Sequence, residues 1–172
     1  NLLGDASLAP DTSKVTLQGE AAGTKLTGAL NFQTAASPVL KGNLALNHLD
    51  VQSLLSLLLG PQQTPKRGDL WSDAKFLAGA AQLPDLALAI TAEKLALSPA
   101  QTAGNASFNL DLSGDRLALS QAKMAYNGGT LGGNLTLRRA AANVSLSADA
   151  VFSGLDLSSL LLSGKADGQL SF

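Results

Sequence analysis

The amino-acid sequence predicts an all-β chain with a minor helical part, built of antiparallel meanders. Three observations lead there. Apolar residues recur at every second position, short polar residues fill the places between them, and Gly, Asn and Asp punctuate the runs. Composition argues the other way, because Leu and Ala supply most of the 45% hydrophobic content and both favour helix. The pattern takes precedence: period two gathers the apolar side chains on one face of a strand, whereas on a helix it would scatter them around the axis.

The runs begin with Val15 and Leu17, followed by Leu26, Gly28, Leu30 and Phe32, then Leu40, Gly42, Leu44 and Leu46. Leu86, Leu88 and Ile90 form the next run, and Phe108, Leu110 and Leu112 the one after it. Leu117 and Leu119, Met124 and Tyr126, then Leu131, Gly133, Leu135 and Leu137, and finally Val144 and Leu146 continue the alternation. Between them stand Thr27, Asn31, Asn43, Asn109, Asp111, Asn134 and Thr136, which suit a solvated sheet face and disfavour helix interiors. Turns are expected at Asn47, Gly104-Asn105, Gly114-Asp115, Asn127-Gly128-Gly129 and Asp167-Gly168. The count comes to roughly eleven short antiparallel strands.

One segment follows a different period. Asp50 is placed to cap a helix, Val51, Leu54, Leu55 and Leu58 follow at helical spacing, and Gly60-Pro61 ends it. A second short amphipathic helix is expected from about Ser72 to Ala81, with Phe76, Leu77 and Ala80 on one side. Residues 61–69 between them read as a polar loop.

The helix-start phrase returns. Leu49-Asp50-Val51-Gln52-Ser53-Leu54-Leu55 reappears 106 residues later as Leu155-Asp156-Leu157-Ser158-Ser159-Leu160-Leu161. The strand phrase running from Gly23 to Phe32 resembles the one from Gly128 to Leu137, 105 residues on. Residues 14–60 thus resemble 119–165, a unit of strands followed by a short helix that this chain holds somewhat more than once. Residues 1–172 are therefore expected to be a segment of a longer repetitive sheet, in which neighbouring repeats of the same chain pair edge to edge. The start at Asn1 rather than Met fits a segment cut from a longer protein.

Charge and residue usage narrow the function classes. A net charge of −1, with 12 basic and 13 acidic residues spread singly, provides no field for a phosphate backbone, so nucleic acid is not an expected partner. Aromatic residues at 4% leave no stacking platform for single strands. No cysteine is present, which removes disulfides and thiolate chemistry. The lone His48 has no second ligand at metal spacing. Asp111, Asp115 and Asp149 sit beside strand leucines or a turn rather than in an apolar cleft, so no catalytic pair is expected. Gly128-Gly129 and Gly132-Gly133 are followed by strand rather than helix, and read as a turn and a close strand approach, not a phosphate loop. Arg67-Gly68-Asp69 and the Asn-x-Ser/Thr triplets at Asn105, Asn134 and Asn143 read as chance matches. The reading is of a chain that is not an enzyme and needs no cofactor or metal.

The phrase from Gly129 to Leu137, the Leu-Asp-x-x-Ser-Leu-Leu helix starts and Trp71-Ser72-Asp73 together resemble the AsmA-like proteins of Gram-negative bacterial envelopes. The resemblance covers most of the chain and rests on the order and spacing of its motifs. It implies a periplasmic body of β-strands curled into a long groove of the repeating-β-groove type. It also implies an anchor in the inner membrane outside this segment, and a role in phospholipid transport or outer-membrane assembly. It carries over no catalytic residue.

Phospholipid, or another lipid with acyl chains, is the partner this resemblance implies. The groove would be lined by Leu26, Leu30 and Phe32, by Leu44 and Leu46, by Leu86, Leu88 and Ile90, and by Phe108, Leu110 and Leu112. Leu117, Leu119, Met124, Leu131, Leu135, Leu137, Val144 and Leu146 complete it. A face of eleven strands covers roughly 1,400 Å², of which two short helices shield about 300 Å². The remainder must meet itself, a partner or lipid. The expectation is a sheet curled into a groove or a partly closed sandwich, with a structural or interaction module with a closed β core as the alternative.

Overall fold

The computed structural model describes residues 2–8, 12–21, 23–33, 38–54, 85–98, 100–140, 143–156 and 165–171. They form one ten-stranded sheet whose spatial order follows the chain: β1 (Leu2–Leu8), β2 (Thr12–Ala21), β3 (Thr24–Gln33), β4 (Val39–Asp50), β5 (Asp85–Ser98), β6 (Gln101–Ser113), β7 (Arg116–Tyr126), β8 (Gly129–Ala140), β9 (Asn143–Asp156) and β10 (Lys165–Ser171). The sheet is open, because β1 and β10 do not pair with each other. The expected all-β architecture is present, with ten strands among the described residues where the spacing suggested eleven.

Every neighbouring pair is antiparallel except β4 and β5, which run parallel with Val39 opposite Asp85 and Asp50 opposite Ala96. This departs from the uninterrupted meander expected from the sequence. The reason is geometric: a chain that leaves β4 at Asp50 and enters a parallel neighbour must first return to the opposite end of the sheet. Residues 51–54, directly after β4, are helical. Asp50 caps that turn as its position predicts, its Oδ1 accepting the Gln52 N–H at 3.0 Å. Leu55 and Leu58, the polar loop at 61–69 and the helix expected at 72–81 lie outside the described residues.

Of the expected turns, Gly114-Asp115 and Asn127-Gly128 are where the sequence puts them. Asn127 and Gly128 both have positive φ, the signature of a tight primed hairpin turn. Asn47, Gly104-Asn105 and Asp167-Gly168 instead lie inside strands β4, β6 and β10. Asn105, at φ of 49°, uses its tolerance of left-handed backbone inside the strand, beside a register shift between β6 and β7, and not in a turn.

Two of those interior breakers, Asn47 and Asn105, fall on a common crease. Apolar positions switch parity from Leu46 to Leu49 in β4, from Ala92 to Leu95 in β5 and from Ala106 to Ala103 in β6. The pairing skips the row of Asn47, Glu93 and Asn105 between them, and Asn105 has φ of 49°. In β7 the register slips between Leu119 and Ala122 around Gln121, whose φ is 54°. Asn side chains serve backbone donors at both irregularities. Asn47 Oδ1 accepts the Lys25 N–H at 2.8 Å, and Asn134 Oδ1 accepts the Gln121 N–H at 3.0 Å. The crease divides the apolar face into a larger cluster around Leu110 and a smaller one around Ala92, Leu95, Ala103 and Ala106.

Candidate functional site, an apolar stripe across the strands

Alternation along each strand says which side chains share a face; register says which of them touch. Phe32 stands opposite Leu40, Leu40 opposite Leu86, and Leu86 opposite Leu112. Leu112 then faces Leu117, Leu117 faces Leu137, and Leu137 faces Leu146. This is an unbroken apolar row from β3 to β9, perpendicular to the strands. A second row runs beside it through Val15, Leu30, Gly42, Leu88, Leu110, Leu119 and Leu135. A third passes through Gly28, Leu44, Ile90 and Phe108. At about 4.8 Å per strand, the first row extends roughly 29 Å.

The two glycines in these rows are demanded by close approach. A Cβ at Gly42 would collide with the Ala29 carbonyl and press on Leu30, and one at Gly28 would meet the Asn43 carbonyl and Leu44. The pair recurs in the second unit, where Gly28 opposite Leu44 is matched by Gly133 opposite Ala150. There a Cβ would strike the Asp149 carbonyl.

The residues expected to line a groove are thus brought together on one face, but they are not equally accessible. Leu88, Ile90, Phe108, Leu110, Leu112, Leu117 and Leu137 are buried in one cluster with Leu54 from the turn after β4. Leu30, Leu44, Leu46, Leu86, Leu119, Leu135 and Val144 are partly buried against it. Leu26, Phe32, Met124 and Leu131 are half-buried. Leu146 is 47% exposed, and on β10 Leu170, opposite Ala150, is 57% exposed. The centre of the stripe is closed and its β9–β10 flank is open.

A cavity of about 660 Å³ lies along the crease between β3 and β6, lined in part by Lys25, Thr27, Asn47, Thr91, Glu93 and Asn105. Ala92 and Ala106 share that lining yet are only 3% and 2% exposed, so it opens on the polar side, opposite the stripe. The sequence signal for the crease was the parity change between Leu119 and Met124, which a run of alternating residues does not reveal until the strands are laid side by side.

The other candidate residues are dispersed. His48 is exposed on β4, Asp111 is exposed on β6, Asp115 lies in the turn after it, and Asp149 on β9 accepts a hydrogen bond from Ser171 Oγ at 2.7 Å. Among the described residues, no group of three His, Cys, Asp or Glu side chains is placed to hold a metal.

Compared with known proteins, the chain matches no family model, no curated protein and no solved structure.

Proposed function

We propose that this chain is a non-catalytic segment of an AsmA-like envelope protein that binds or conducts phospholipid along its apolar stripe. Its setting is the periplasm of a Gram-negative bacterium, in a parent anchored to the inner membrane, where it acts in outer-membrane lipid transport or assembly. The observation that carries this reading is the leucine row crossing seven strands without a polar interruption. Its length of roughly 29 Å is close to the ~30 Å hydrocarbon thickness of a bilayer, and its open end at Leu146 is where an acyl chain can contact it. An open sheet also lets such a stripe continue into neighbouring repeats.

The alternative is a structural or interaction module with a closed β core. The burial of Leu110 and Leu117 to 2% and 1% favours it at the centre of the sheet. A photo-crosslinking residue decides between the two. Placed in cells at Leu135 or Leu146 on the stripe, it should capture phospholipid, and placed at Asn134 on the polar face it should not. Capture from neither face, or equally from both, would sink the lipid reading.

A further inference from the structure

We propose that Arg116 and Arg138 form a phosphate-binding site at one end of the β7–β8 pair, on the face opposite the apolar stripe and independent of it. The two arginines stand directly opposite each other in the antiparallel register, and both are exposed. Alternation puts them on the polar side, because Leu117 and Leu137, the next residues towards the middle of the two strands, are a buried pair of the stripe. Directly opposite side chains have Cβ atoms about 4.5–5.5 Å apart, and like charges at that spacing destabilise the strand pair. Where β2 meets β3, by contrast, Glu20 stands opposite Lys25 and the signs match. The repeat does not impose the arginine pair either, since the positions 105 residues earlier in the sequence are Asp11 and Gln33.

The positions around the pair suit an anion. Ser113 stands opposite Arg116 on one side and Ser145 opposite Arg138 on the other, both exposed, so the row across β6 to β9 holds two guanidiniums between two hydroxyls and no carboxylate. The nearest carboxylates along the chain are Asp111, two residues from Ser113, and Asp115 in the turn before Arg116. The Arg139 N–H donates to the Asp115 carbonyl at 2.8 Å, which ties the end of β8 to that turn and fixes the base from which both arginines extend. A guanidinium is a planar fork of donors that matches phosphate oxygens two at a time. A phosphate set between two forks turns their repulsion into two charge-assisted contacts, and its further oxygens can accept from a serine hydroxyl. A carboxylate, with two oxygens, satisfies only part of this row. The phosphate is that of a soluble phosphate compound or of a lipid headgroup; the recognition chemistry is the same.

The test uses the full 172-residue chain, the variants Arg116→Gln and Arg138→Gln, and Lys123→Gln, which removes an exposed positive charge elsewhere on β7. Urea unfolding is followed by circular dichroism while inorganic phosphate replaces chloride at constant ionic strength. In chloride, each arginine variant should unfold at the same urea concentration as the unaltered chain or a higher one, because the repulsion is gone. Phosphate should raise the midpoint of the unaltered chain and of Lys123→Gln, and each arginine variant should need about tenfold more of it for the same rise, the worth of one hydrogen bond to a charged group. The general stabilising effect of phosphate on burial is common to all four proteins and cancels in the comparison. A second arm measures co-sedimentation with phosphatidylcholine vesicles, with and without phosphatidic acid. Arginine-dependent binding to the phosphatidic acid vesicles identifies a lipid headgroup as the source, and an arginine-dependent response to inorganic phosphate alone identifies a soluble one. Equal phosphate responses in all four proteins, with vesicle binding unchanged by either arginine variant, would overturn the site and leave the reading of the apolar stripe untouched.

Discussion

Strands β4 and β9 end in the same Leu-Asp phrase, yet the chain leaves them in opposite ways. After Asp50 it passes through thirty-four residues before it pairs parallel to β4 as β5. After Asp156 it takes eight residues and pairs antiparallel to β9 as β10. A short connection permits only a hairpin, whereas a parallel neighbour needs a crossover of a dozen residues or more. The phrase therefore fixes how a strand ends, and the length of the connection fixes the direction of the next strand. The strands around the two exits also differ in exposure. The first sends Leu54 onto the central stripe, while Leu146 and Leu170 on the strands around the second remain exposed.

The largest effect should separate the covered part of the stripe from the open part. Leu110→Asp places a carboxylate at a site 2% exposed, surrounded by leucines. We expect loss of cooperative folding or a destabilisation above about 4 kcal/mol, because no partner replaces the lost hydration. Leu146→Asp, on the same face at 47% exposure, should lower stability by less than about 1 kcal/mol. Urea unfolding followed by circular dichroism measures both. Equal effects would mean that the flank is as closed as the centre.

Next in size are the paired glycines. Gly28→Ala must push a methyl group into the Asn43 carbonyl, an overpacking cost of about 2 kcal/mol. Gly133→Ala meets the Asp149 carbonyl and also fixes a side chain at φ of 150°, so it should cost more, about 3 kcal/mol. If the order is reversed, the two units do not share the strand approach that their registers indicate. Asp50→Ala should come after them at about 1 kcal/mol, the usual worth of a helix cap, and a change well below that in the urea midpoint would show the turn to be held by Leu54 alone.

Much of this architecture was legible in the sequence, for identifiable reasons. Alternation along one strand needs no knowledge of its partner, so the stripe residues from Leu26 to Leu146 could be assigned to a face before any pairing was known. Gly114 and the Asn127-Gly128 pair marked hairpins correctly because they lie between two apolar runs. Asn47 and Gly104-Asn105 were misleading for the converse reason, since each interrupts one run without ending it. The interruption shows as a crease only when β4, β5 and β6 are aligned at the same height. The parallel β4–β5 pair and the burial of Leu88, Phe108 and Leu110 were not legible, because the first depends on the length of a connection and the second on what packs over the sheet face, Leu54 among it, and neither on the composition of the strands.

The smallest expected effect tests the β7 bulge in the second unit. Gln121 is held at φ of 54° in a bulge of β7, its N–H donating to Asn134 Oδ1 at 3.0 Å and its Oε1 accepting from Asn109 Nδ2 at 3.0 Å. Asn134→Ala removes the acceptor of a backbone donor that regular strand pairing does not serve. Because the bond is exposed, water takes over part of the role, and the cost should be about 0.5–1 kcal/mol rather than that of a buried orphan. The decisive readout is local. Amide exchange at Gln121 should accelerate in Asn134→Ala, while exchange at Leu117 and Leu137, a buried pair well away from the bulge, stays as in the unaltered chain. Uniform acceleration along β7 and β8 would mean that the asparagine supports the whole strand pair, and that the bulge is not a separate local device.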